Sequence, residues 1–269
     1  MLHQMFVFAL IFWAFMLAAE LVAGRHRGIY TPHEWKVMLS SLILTMGVTR
    51  PLAGVLVATL FAAAMPHWRG AWAGMPLIPA FLLIALTSEF AFYWVHRLSH
   101  EGAGKYPRLG WLWKLHRTHH SGKHLTVMTN FRHNLAWTFI QPQAWIYGLA
   151  IHLGLGAAAG LTAGVLLAWN VLTHGNFRWD DAIRRHPRVG RLFRLAEHVL
   201  VSPGLHHTHH GYGRDGASYR NYAVMFSAFD TLFGTLHIPD GRPARYGLPG
   251  PNAPWTEEIF YPLVRSSRR

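Results

Sequence analysis

Residues 76–95, "PLIPAFLLIALTSEFAFYWV", run without a break into "HRLSH" at residues 96–100. A stretch of about 20 apolar residues is what a helix needs to cross a bilayer, and within lipid only a helix or a closed barrel satisfies its own backbone. The run therefore reads as a spanning helix with histidines at its end, where hydrocarbon gives way to water. Four more apolar runs accompany it, at about 6–24, 37–65, 135–153 and 157–173. The first lacks a basic leader and a small-residue cleavage site, so it reads as a retained helix. The second is interrupted by "TRP" at 49–51, which predicts one long kinked span or a re-entrant pair. The last two, joined by the small-residue stretch "LGLGAAAG", read as a helical hairpin.

The expected fold is all-α and integral to the membrane: a helical transmembrane bundle with a cytoplasmic helical cap, one domain over residues 1–269. A hydrophobic content of 51% fits a membrane-embedded half and a polar half. The tail after about residue 240, rich in Pro, Gly and Arg, is expected to wrap the cap loosely. The net charge of +13 belongs to segments flanking apolar runs, and no nucleic-acid motif is present, so nucleic acid is excluded as a partner. Seven of the eight charges in residues 96–134 are basic, while 66–75 carry only Arg69. By the positive-inside rule this predicts a multi-pass chain with an odd number of spans, its N-terminus outside and its histidines on the cytoplasmic side.

Two more pentads repeat the histidine pattern, "HRTHH" at 116–120 and "HHTHH" at 206–210. Residues three and four apart share a helix face. That spacing groups His96 with His100, His116 with His119 and His120, and His206 with His209 and His210, and leaves His207 outside the set. The chain has no Cys, so any metal is held by imidazole or carboxylate, and neutral imidazole suits iron, zinc or copper. Eight such ligands exceed the four of a tetrahedral zinc site and suit two ions. Glu89, two turns before His96 in an apolar span, is a candidate for orienting His96 or His100. Asp230 is read as orienting a box histidine or pairing with an arginine. His3, His26, His33, His67, His152, His186, His198 and His237 read as surface or interfacial residues.

"EFAFYWVHRLSH", "LWKLHRTHHS", "SPGLHHTHH" and the closing "NYAVMFSAFDTLFGTL" resemble the histidine boxes of the sterol desaturase and fatty acid hydroxylase superfamily of membrane di-iron oxygenases, over about residues 87–236. The resemblance implies two iron ions, dioxygen as co-substrate and a lipid substrate such as a sterol or fatty acyl chain, oxidised by hydroxylation or desaturation at an unactivated C–H bond. It also implies His174, in "WNVLTHGNF", as a further ligand, with Asn170 one turn before it as another candidate. Related sequences often carry Arg-x-His-Pro after the second box, whereas this chain has "NFRHNL", a departure that leaves His133 a weaker candidate metal ligand than the box histidines. The usual Trp before the late Asp is Phe229. No haem, flavin or cysteine-bound cluster is recognisable, so electrons are expected from a separate donor of ferredoxin or cytochrome type, suited to a basic surface.

Two rivals remain at this point. A membrane zinc hydrolase calls for a motif such as HExxH, and "HEWKV" and "HEGAG" both lack the second His. A non-enzymatic metal-binding or transport protein calls for ligands in mid-membrane or in flexible tails, whereas these stand at span ends.

Overall fold

The computed structural model describes residues 2–25 and 27–266; His26 lies outside the described residues, as does the side chain of His3. The chain opens with α1 (Leu2–Val22), whose one carboxylate, Glu20, accepts from Asn176 N at 2.6 Å and Val127 N at 3.3 Å, so the charge ending an apolar helix is tied to backbone donors. α2 (Pro32–Leu44) starts at Thr31, whose side chain caps Glu34 N, and continues through a single π turn at Thr45–Thr49 into α3 (Arg50–Ala64). Neither a reversal nor a re-entrant pair forms at "TRP". The wide turn ahead of Pro51 absorbs the missing donor and the bulk of the ring, and Pro32–Ala64 is one helical run of 33 residues. At 1.5 Å per residue it is about 50 Å long, well beyond a hydrocarbon core of about 30 Å. One end therefore projects into the polar half.

α4 (Leu77–Glu101) carries His96 and His100 at its C-terminal end, and α5 (Gly110–His120) turns back beside it with the second box. The apolar run at 135–153 is not one span: Pro142 divides it into α6 (Trp137–Ile140) and α7 (Pro142–His152). A hairpin then leads into α8 (Gly156–His174), which packs against α1, α4 and α7. Its turn is tight because Gly154 adopts φ +94°, and a Cβ there would lie 2.9 Å from Ala73 Cβ. Among the described residues three helices are long and apolar enough to cross a membrane: Pro32–Ala64, Leu77–Glu101 and Gly156–His174. Their outward faces expose Ile43, Val55, Ile78, Leu82 and Leu86, an apolar belt suited to lipid.

The polar half gathers around the ends of α4 and α8. It comprises α9 (Trp179–Arg185), α10 (Gly190–Ala196), α11 (Pro203–His210), α12 (Ala228–Leu232) and α13 (Trp255–Phe260). Among the described residues the regular structure is helical, apart from a two-residue antiparallel pair, β1 (Gly211–Tyr212) with β2 (Arg245–Tyr246). The tail after residue 240 is not loose. Arg242 pairs with Asp180 and Asp181, Lys123 donates to Leu248 O, and Glu258 lies 2.9 Å from Arg132, a guanidinium only 1% exposed that also meets Glu34 at 2.5 Å. Composition announced flexibility, but buried charges left without partners would be strongly destabilising, and they hold the tail down.

Candidate metal centre

Four helices deliver the histidines to one place. α4 supplies His96 and His100, α5 supplies His116, His119 and His120, α8 ends on His174, and α11 supplies His206, His209 and His210. They form two groups, one of His96, His100, His116, His120 and His209 and one of His119, His174, His206 and His210, and within each group the ligand atoms lie within 4.8 Å of one another. All nine residues are buried. The helical offset explains the division of the second box, since neighbouring residues are turned about 100° apart and His119 and His120 face different groups.

The hydrogen bonds fix where protons sit. His96 Nδ1 donates to Tyr222 O at 2.6 Å, His209 Nδ1 to Arg220 O at 2.7 Å and His174 Nδ1 to Asn170 O at 2.8 Å. A carbonyl only accepts, so each of these rings, when neutral, presents a bare lone pair at Nε2. Burial pushes the imidazoles of His116, His119, His120, His206, His209 and His210 well below their ordinary titration range, which makes neutral rings the rule in this half of the molecule. His96 and His209 therefore oppose two lone pairs at 3.0 Å with no proton between them. The lone pair of His174 faces His206 Nε2 at 3.0 Å and His119 Nε2 at 3.3 Å, and His120 Nε2 stands between His116 at 3.0 Å and His100 at 3.1 Å. Converging buried nitrogens of this kind repel one another unless a cation lies among them, so both groups fit divalent metal ions.

His207 belongs to neither group: Nδ1 meets Tyr246 Oη at 2.8 Å and Nε2 meets Gly175 O at 3.2 Å. His133 stacks on His119 with centroids 5.1 Å apart and also stands outside both groups. Asn170 contributes its backbone carbonyl to His174, while its side-chain Oδ1 is buried without a partner. Neither sequence-derived carboxylate touches a histidine. Glu89 Oε2 accepts from Met225 N at 2.7 Å and Phe226 N at 3.3 Å, because the chain after the third box folds back across α4 and reaches the carboxylate first. Asp230 accepts from Tyr222 N, Ala223 N and Thr235 Oγ1, not from an arginine or a ring. Its influence on His96 passes through the backbone, since it anchors the residue whose carbonyl holds His96 Nδ1.

Sequence reasoning missed those orienting carbonyls and Arg132. This guanidinium bonds Thr118 O at 3.0 Å and Ser121 Oγ at 2.9 Å, at the end of the helix bearing the second box. Main-chain oxygens leave no residue-type signal, though the "NYAV" segment supplying one of them was visible. The third box is braced similarly: Asp180 Oδ2 accepts from Gly204 N at 2.6 Å, and Ser202 Oγ caps Leu205 N.

Below the histidines a cavity of about 480 Å³ opens between the long helices. His96, His116, His119 and His206 contribute to its wall, together with apolar residues such as Val57, Phe92, Ile151 and Leu167 and polar ones such as Glu89, Gln143 and Asn170. A largely apolar cavity with a few polar groups in its wall suits a lipid.

Among curated proteins, the chain is 27% identical over 171 residues to alkylglycerol monooxygenase of Homo sapiens, which covers 62% of this chain and 32% of that protein. It is 26% identical over 190 residues to a very-long-chain aldehyde decarbonylase of Oryza sativa subsp. indica, covering 67% and 27%. A third relative, an ornithine lipid hydroxylase of Rhizobium tropici, is 27% identical over 229 residues, covering 83% and 62%. The chain thus spans about a third or less of the length of the first two. No solved structure matches it. The family model described as fatty acid hydroxylase matches residues 81–235, more than half of the chain and every histidine of both groups, and on that match the chain belongs to the fatty acid hydroxylase family.

Proposed function

We propose that the protein is a membrane-bound, di-iron, dioxygen-dependent oxidoreductase that hydroxylates or desaturates an unactivated C–H bond of a lipid. The observation that carries this reading is the set of converging buried histidine nitrogens, split into two groups, beside a largely apolar cavity. A thiolate-free, all-imidazole set suits divalent iron, and its size exceeds what a single hydrolytic zinc requires. Bound there, a pair of iron ions would supply the activation of dioxygen that no side chain provides.

The chain's own residues do the rest. His96, His100, His116, His120 and His209 would hold one ion, and His119, His174, His206 and His210 the other. The carbonyls of Tyr222, Arg220 and Asn170 keep protons on Nδ1, so the lone pairs stay aimed inward. Phe92, Trp137 and Val224 pack beneath the boxes and exclude water from the reacting end. The walls of the cavity hold one carbon of an extended lipid near the histidines, which converts an encounter into a positioned reaction. The names of all three relatives denote lipid-modifying enzymes, which supports a lipid substrate. Exposed basic residues of the polar half, including Lys105 and Arg214, suit a separate, acidic ferredoxin or cytochrome as electron donor. On this reading the polar half faces the cytoplasm, and the whole chain acts as a single membrane domain.

The test is purified protein loaded with iron and supplied with a reducing partner, lipid extract and isotope-labelled dioxygen. Two irons per chain and dioxygen-dependent lipid oxidation, with label in any hydroxylated product, are expected. Full activity at one metal per chain, or turnover without dioxygen, overturns the reading.

A further inference from the structure

The cavity under the histidines is not lined as a hydrocarbon slot would be. Besides His116, His119 and His206, whose Nδ1 atoms are also unpartnered, four of its side chains carry a buried polar atom with no partner: Glu89 Oε1, Gln143 Oε1, Asn170 Oδ1 and Asn130 Nδ2. The three amides can exchange donor for acceptor by a flip of the group. Glu89 cannot. It is 1% exposed, and its Oε2 is fixed by the N–H groups of Met225 and Phe226, which leaves Oε1 as a buried acceptor on the cavity wall. Glu89 stands two turns before His96, about 10 Å along the helix, and Asn170 one turn before His174, about 6 Å. This polar belt therefore lies just beneath the reacting end, not at the far mouth of the cavity.

A plain alkyl chain threaded past Glu89 would leave a desolvated carboxylate oxygen unsatisfied, a costly arrangement deep in apolar surroundings. We propose that the cavity takes the polar end of a lipid, and that Glu89 Oε1 accepts a hydrogen bond from an ammonium or hydroxyl group of that lipid. Glu89 is then a specificity-determining residue. Arg50, which also lines the cavity and reaches Met46 Sδ at 3.5 Å, and Asn130 Nδ2 serve the acceptors of the same head. Where oxidation follows, which rests on the oxygenase reading above, it falls on carbons near the head and not near the terminal methyl.

Equilibrium binding tests this without turnover. Radiolabelled hexadecylamine, hexadecanol and methyl hexadecanoate share a long chain and differ at the head; the ester offers acceptors but no donor. The purified full-length protein is expected to bind the amine, the alcohol or both about tenfold tighter than the ester, the loss expected when a buried acceptor goes unpaired. The tighter of the two identifies the donor as ammonium or hydroxyl. In Glu89→Gln the amide oxygen retains Met225 and Phe226 while the NH₂ group takes the place of Oε1, so the order inverts in favour of the ester. Equal binding of all three by the wild type overturns the proposal, as does an unchanged order in Glu89→Gln. Should that variant not fold, the wild-type order alone decides: tighter binding of the ester than of both donors overturns the proposal as equal binding does. Donor-selective binding without oxidation defeats the oxygenase reading alone, and oxidation without donor selectivity defeats this proposal alone.

Discussion

A ring matters for metal when its nitrogen converges with others on one point, as that of His119 does, and not when both its nitrogens are engaged elsewhere, as those of His207 are. His119→Ala removes a nitrogen from the second group and is expected to lower bound metal and lipid oxidation by more than about 100-fold, beyond the loss typical of an outer partner. His207→Ala is expected to keep the metal and lose stability instead, by about 1–3 kcal/mol, because Tyr246 Oη and Gly175 O lose their partner in a buried place. Metal content and thermal denaturation of the two variants separate these outcomes. The set of box histidines was legible from helical spacing but its division was not, since His119 parts from His116 and His120, and His209 parts from His206 and His210. The partners of Glu89 were not, since spacing gives the face of a helix but not which segment later packs on it. The carbonyls of Tyr222, Arg220 and Asn170 were invisible for a simpler reason: any residue type presents the same oxygen.

At the scale of elements, the contact that links span to cap is Arg132 between Glu34 at the projecting end of α2 and Glu258 on α13. Arg132→Ala strands two carboxylates and is expected to cost about 3–5 kcal/mol. Chemical denaturation reads this, and Arg132→Ala combined with Glu34→Gln and Glu258→Gln should recover part of the loss. At the other end of the molecule, Gly154→Ala is expected to destabilise by about 1–3 kcal/mol, since alanine at φ +94° is strained and its Cβ meets Ala73; the midpoint of thermal unfolding measures it. Hydropathy located the long helices well because a spanning helix is written in 20 consecutive side chains. It failed at the two prolines in opposite senses. Pro51 was read as an interruption, but a π turn absorbs it, whereas Pro142 lay unnoticed in an apolar run that it divides. Proline marks a missing donor; the neighbouring turns decide whether the helix survives it.

For the whole molecule, the positive-inside reading places Lys105 and Arg214 on one side of the membrane and Arg69 on the other. The chain has no native Cys, so single cysteines at these exposed positions can be labelled with an impermeant maleimide in oriented vesicles. Lys105 and Arg214 are expected to label together and Arg69 oppositely; any other partition breaks the topology. Chelation of bound metal is expected to lower the unfolding midpoint by several degrees, as removal of any ligand of the native state does, with protease cuts appearing first in residues 203–246. The pairings that close the centre also set a schedule. His96 waits for Tyr222, 126 positions later in the chain, and Arg132 for Glu258, again 126 positions later. Contacts so distant in sequence form late, after the loops between them are in hand. During synthesis His96 is therefore made well before Tyr222, and Arg132 can pair with Glu34 before Glu258 exists. A metal ion that arrived before these contacts form would meet only part of the site.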